Sequence, residues 1–118
     1  MKTKLVHYSD SQISKVDVNK FNSNYFTLND YKLSNLNRSF FYVNDSPIEN
    51  RFNGKIKHQA IVDSSKLYNI TENKKQIKFT CIDDLLRKIK KQGYLGVVYT
   101  VNNLQIANIF HTIKVKKV

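Results

Sequence analysis

The stretch from Cys81 to Val115 constrains the fold most, because it spells one amphipathic helix followed by a β-hairpin. Ile82, Leu85, Leu86 and Ile89 recur at the i, i+3, i+4, i+7 spacing that gathers apolar side chains on one helical face. Thr80, with Asp83 three residues on, has the pattern of an N-terminal cap, the basic residues fall late, and Gly93 stands where a left-handed C-terminal cap belongs. The polar face of this helix, Cys81 to Gln92, is cationic. After it, Leu95 to Val101 reads as a strand, Asn102-Asn103 suits a type I′ turn, and Gln105 to Val115 reads as the returning partner.

The rest of the chain is strand-rich. Lys4 to Tyr8 reads as a short strand ending at the polar Ser9-Asp10-Ser11, and Ser39 to Val43 as a strand on β-propensity, stopped by Asn44-Asp45-Ser46-Pro47. Lys55 to Val62 alternates, with Ile56, His58 and Ala60 on one face and Lys57, Gln59 and Ile61 on the other. Between Asp17 and Asn37 aromatic residues are scattered among Asn and Ser without a clean period, which suggests a partly helical segment anchored by its rings. Strands with one well-defined helix imply an α+β domain whose sheets form the core.

Size and composition bound the rest. With 118 residues the chain has room for one domain, 1–118, and the seven Tyr and seven Phe supply a packed interior despite a mean hydropathy of -0.49. No apolar run approaches the roughly 20 residues of a membrane span, and the start lacks a signal-peptide core, so a protein of the cytoplasm is expected. A single cysteine, Cys81, excludes an intrachain disulfide and a multi-thiolate metal site. It could act as a nucleophile, but a lone Cys is more often a small buried residue. His7, His58 and His111 are not at metal-ligand spacing, so no metal is expected, and no Gly-rich phosphate loop occurs.

Charge narrows the partners. Twenty Lys and Arg against nine Asp and Glu give a net +11, which favours nucleic acid, an acidic protein surface or an anionic cofactor. A solvated, Lys-rich surface reflecting an A+T-rich genome is the plainer reading. No acid follows Asp84, whereas Lys88, Lys91, Lys114 and Lys116 do, and these four are the candidate contacts to nucleic acid or another acidic partner.

Four islands carry a resemblance. They are Leu5-Val6-His7-Tyr8-Ser9, Arg38-Ser39-Phe40-Phe41-Tyr42-Val43, the run from Ala60 to Tyr68, and Gly93-Tyr94-Leu95-Gly96-Val97-Val98. In order and spacing they resemble the ADP-ribosyltransferase-like domains attached to phage head-morphogenesis proteins and bacterial polymorphic toxins, over about Leu5 to Val115. The resemblance implies two packed small β-sheets with NAD, as substrate, in a cleft between the first strand and the Phe-rich strand. It also implies a phage or mobile-element protein of the host cytoplasm, able to travel in a virion, with no membrane association.

Breaking the nicotinamide–ribose bond passes through an oxocarbenium-like state, so an enzyme must grip the ribose, fix the leaving ring and stabilise positive charge. By resemblance His7 contacts the ribose 2′-hydroxyl with Tyr8 and Ser9 beside it, Tyr42 packs on the nicotinamide, and Arg38 meets the diphosphate. His7, Arg38 and Tyr42 are the candidate catalytic set. Arg51 is a further phosphate candidate. Each has a plainer reading as a satisfied strand residue, sheet core or solvated loop cation.

The departure lies late in the chain. Many such transferases place a Glu on a late strand, and here Gln105, Asn108 and His111 are the only polar groups of the last hairpin that could stand in for it. Gln105 and Asn108 are therefore late candidates for cofactor contact. Either the domain works without the Glu, as transferases of this fold acting on RNA phosphate do, or it no longer catalyses. The second case leaves a virion structural or accessory protein that binds nucleic acid or an acidic partner through its basic surface.

Overall fold

A computed structural model describes residues 1–18, 38–43, 56–101 and 103–118, the side chain of Val101 excepted. Nine strands, one α-helix and a short 3-10 helix (Ser64–Lys66) occur in these residues: β1 (Lys2–Ser9), β2 (Lys15–Val16), β3 (Ser39–Val43), β4 (Ile56–Asp63), β5 (Leu67–Asn69), α1 (Ile82–Lys91), β6 (Gly96–Val101), β7 (Leu104–Ile109), β8 (Ile113–Lys114) and β9 (Lys116–Lys117). The α+β class expected from the sequence is what forms. The expected pair of small sheets gives way to one seven-stranded mixed sheet, ordered β5-β6-β7-β3-β1-β4-β9, and a two-stranded ribbon of β2 and β8. The reason is β3, which pairs antiparallel with β1 on one side and β7 on the other and so joins the two halves.

The βαβ unit is the most regular part. β5 and β6 lie parallel, with Leu67 opposite Gly96 and Asn69 opposite Val98, and parallel neighbours need a crossover, which α1 provides. The helix buries Ile82, Leu85, Leu86 and Ile89, the four residues of the expected stripe. Each such side chain contributes about 1.5–3 kcal/mol when withdrawn from water. Gly93 ends it with φ +93 and its N–H on the Lys90 carbonyl, a left-handed turn that any Cβ would strain.

The helix start differs from expectation. Cys81 is the extended N-cap residue and makes no side-chain cap bond; Asp84, not Asp83, accepts the Thr80 N–H at 3.1 Å. The carboxylate one position further on is the one that reaches back over the first turn. Cys81 is exposed rather than buried.

Two cores lie on opposite faces of the sheet. On the helix face, α1 packs on Val6, Tyr42, Tyr68, Val97, Tyr99 and Ile106, with Tyr8 and Phe40 at the margin. On the other face, the ribbon residues Val16 and Ile113 join Leu5, Phe41, Ala60, Ala107, Ile109 and Val115. Adjacent residues in β1 and β3 thus serve different cores, as the period of two demands.

The returning strand of the hairpin is shorter than Gln105 to Val115. It ends at Ile109 because Phe110 drops into the helix-face core and gives its N–H to the Leu95 carbonyl, after which the chain bends across to the other face. Asn103 takes φ +69, while Asn102 lies outside the described residues. So do Arg51, Lys55, the turn expected at 44–47 and most of the segment expected between Asp17 and Asn37, from residue 19 on. No helix among the described residues is long and apolar enough to cross a membrane.

Candidate functional site

His7 lies in β1 directly opposite His58 in β4, so both rings point to the ribbon face. His7 Nδ1 lies 2.8 Å from the Phe40 carbonyl. A carbonyl can only accept, so Nδ1 carries the proton and Nε2 keeps its lone pair for the adjoining cleft. That cleft, about 510 Å³, is lined by His7, Ser9, Gln12, Ile13, Ser14, Lys15, Val16 and Asp17. The size is in the ordinary range for a small-molecule site, and the lining mixes an imidazole acceptor, hydroxyls, an amide, a cation and a carboxylate.

The loop that lines the cleft is tied down by the second histidine. His58 is fully buried, and its Nε2 accepts the Ile13 N–H at 3.1 Å, which fixes the loop between β1 and β2. Its other nitrogen then bears the proton, and among the described residues Nδ1 has no hydrogen-bond partner. A second cleft of about 420 Å³ meets the first at Ser14 and is bordered by Gln59, Ile61, Lys114 and Lys116.

Burial holds the His7 imidazole below its usual pKa of 6.5; the Phe40 carbonyl opposes that shift and the neighbouring His58 adds to it. The folded protein therefore resists taking up a proton that the unfolded chain accepts, and stability present above pH 6.5 is lost as pH falls below it. His7→Gln, which can still donate to Phe40, is expected to reduce the fall of the thermal midpoint between about pH 6.5 and 5. An unchanged slope would mean that other groups cause it.

The remaining expected site residues are elsewhere. Val6 pairs with Tyr42, which places His7 opposite Phe41, and the His7 and Phe41 rings meet edge-on at 5.7 Å. Tyr42 consequently lies on the helix face, buried, with Tyr8 at 6.3 Å and Phe40 at 5.2 Å between ring centroids. The sheet thus separates His7 and Ser9 from Tyr8 and Tyr42. The joint pocket expected for His7 and Tyr42 does not form among the described residues, because one register step puts them on opposite faces.

Arg38 is also an interior residue. It is 0% exposed, and its Nε donates to Asn108 Oδ1 at 2.8 Å, while the Asn108 amide donates to the Tyr99 hydroxyl at 3.3 Å. Burial draws the Arg38 guanidinium down to about 10, with Tyr99 and Asp83 working in the opposite direction, so it stays charged at neutral pH. Burial also pushes the Tyr99 phenol up. Arg38 and Asn108, expected at a diphosphate and a ribose, instead form a polar bridge in the helix-face core. Gln105 is exposed on β7, opposite Thr100, away from the cleft, and His111 is exposed in the bend after β7.

The four candidate lysines divide as well. Lys88 bridges to Asp84 at 3.0 Å and donates to the Lys78 carbonyl at 2.7 Å; Asp84 is held below the usual carboxylate range chiefly by that contact with Lys88. Lys88 and Lys91 belong to α1, whereas Lys114 belongs to the ribbon strand β8 and Lys116 to the neighbouring edge strand β9, opposite Gln59. Lys15, not singled out in the sequence, stands directly opposite Lys114. No group of three or more metal-ligating side chains occurs among the described residues.

Comparison with protein-family models, with curated proteins and with solved structures gave no match.

Proposed function

We propose that the protein is a basic, non-catalytic module that binds nucleic acid. The observation that carries this reading is the fate of the expected NAD set: Arg38, Tyr42 and Asn108 are buried in the helix-face core, while Lys15, Lys91, Lys114 and Lys116 remain exposed. A guanidinium committed to Asn108 within the core cannot reach a diphosphate at the surface without the interior opening. Exposed lysines in a chain of net charge +11 can release counterions from a phosphate backbone at no such cost.

The expected result is binding to single-stranded DNA or RNA that weakens linearly in log affinity with log salt, by roughly 0.7 per phosphate contacted. Fluorescence anisotropy with a labelled oligothymidine measures it. Retention by an acidic polypeptide with no salt-sensitive oligonucleotide binding would replace nucleic acid by an acidic protein as the partner.

A second reading keeps the ADP-ribosyltransferase-like resemblance and puts NAD in the His7 cleft. It is favoured by the unpaired His7 Nε2 and by Ser9 in the lining. Calorimetry is its trial: NAD should bind, and His7→Ala should weaken it by about 1–3 kcal/mol, as for a hydrogen bond in a desolvated site. An absence of heat at millimolar NAD would leave the binding module alone.

A further inference from the structure

Resting on the nucleic-acid reading above, we propose that the docking surface runs from the outer face of the β2–β8 ribbon onto the adjoining edge strand β9, where Lys15 and Lys114 of the ribbon and Lys116 of β9 hold successive phosphates of a single strand. The cationic face of α1 plays no part. The ribbon register decides which side chains point outward. Val16 and Ile113 are paired and turn into the core, so Lys15 and Lys114, the next pair along, turn out together. Val115 is buried between Lys114 and Lys116, and Lys116, which opens β9 opposite Gln59, is exposed and borders the same cleft as Lys114.

Like charges directly opposite one another on a sheet are destabilising, and a pairing of two residues on each strand is a poor place to hold them. Lys15 and Lys114 therefore form a feature that costs stability in isolation and is relieved by an anion between or above them. Residues two apart on an extended strand are separated by about 6.6 Å at 3.3 Å per residue, a step comparable with that between successive phosphates of an extended nucleic-acid strand. The two clefts that meet at Ser14 continue the surface on either side of this stripe, with Gln12, Ser14 and Gln59 offering hydrogen bonds to sugar or base edges.

The helix is a weaker candidate on the same criteria. Its first turn carries Asp83 and Asp84, and Lys88 is held by Asp84 and by the Lys78 carbonyl. The basic face there is partly neutralised by its own element. Among the described residues the ribbon stripe has one carboxylate at its border, Asp17.

Two variants of equal charge make the test. Lys15→Gln, Lys114→Gln, Lys116→Gln and, separately, Arg87→Gln, Lys90→Gln, Lys91→Gln each remove three positive charges, leaving Lys88 and its Asp84 contact intact. With labelled oligothymidine, the ribbon variant is expected to lose about 2 from the salt slope, three contacts at roughly 0.7 each, while the helix variant keeps the slope of the unaltered protein. Equal losses would show that only total charge matters, and a larger loss in the helix variant would move the surface to α1; either overturns the placement while sparing the nucleic-acid reading. If the unaltered protein binds no oligonucleotide, that reading itself falls. Thermal melting supplies an independent readout: without oligonucleotide, Lys114→Gln should melt above the unaltered protein, because the opposed charges are gone. A lower midpoint would overturn the strained-pair argument.

Discussion

Gly96→Ala is expected to destabilise the protein by about 3 kcal/mol or more, at or beyond the upper end for an overpacked site. Gly96 faces Ile109 across the β6–β7 ladder, and a Cβ placed there would lie 2.2 Å from the Asn108 carbonyl oxygen and 2.9 Å from Ile109 Cα. Both are backbone atoms, so no rotamer change relieves the clash; the strands must separate. Separation would break the pairing that supports Val97 and Tyr99 in the helix-face core. Gly93→Ala provides the contrast, since no atom lies within 4 Å of the new Cβ and only the left-handed backbone, φ +93, resists it. That substitution is expected to cost about 1 kcal/mol. Urea unfolding measures both, and a Gly96→Ala protein within 1 kcal/mol of the original would mean that the strands do not approach so closely at this point.

What the sequence made legible was what short-range pattern determines. The stripe of Ile82, Leu85, Leu86 and Ile89 lies within two helical turns, and the same four residues are the ones buried. Ser39 to Val43 needed only its β-propensity, and the alternation around His58 and Ala60 only its period. Gly93 could be placed because a glycine just past the last apolar repeat is a common left-handed stop. Each of these signals is local, and the physical cause sits within a few residues of the effect.

The site was illegible for the opposite reason. His7 and Tyr42 look compatible as single residues, but whether they share a face depends on the β1–β3 register, in which Val6, and not His7, meets Tyr42. The ribbon strands are two residues each, too short for any period to be read, and Lys15 gains its meaning from Lys114 far along the chain. The burial of His58 was half-visible, since alternation put it with Ala60. Its acceptance of the Ile13 N–H was not, because that bond closes a gap of 45 residues. Arg38 misled most. An Arg preceding an apolar strand ordinarily keeps its head in water, and only the fold shows Asn108, 70 residues away, waiting for it inside.

Asn108→Leu is expected to cost about 3 kcal/mol, because it removes an acceptor from a buried guanidinium and a donor to Tyr99 at one stroke. Arg38→Met together with Asn108→Leu should cost less than Asn108→Leu alone. A buried charge that loses a hydrogen-bond acceptor is worse placed than an apolar pair of similar volume, which no longer carries the desolvation penalty. The two positions should therefore be strongly non-additive in a double-mutant cycle read by urea unfolding. The same cycle separates an interior role for Arg38 from a phosphate-binding one. If Arg38 served a ligand at the surface, Arg38→Met would leave stability within about 0.5 kcal/mol and act on NAD binding instead, and the cycle with Asn108 would be additive. Additivity would thus return Arg38 to the diphosphate and revive the transferase reading, whereas coupling of 1 kcal/mol or more would tie the guanidinium to the core and leave the lysines of the ribbon to meet the phosphate.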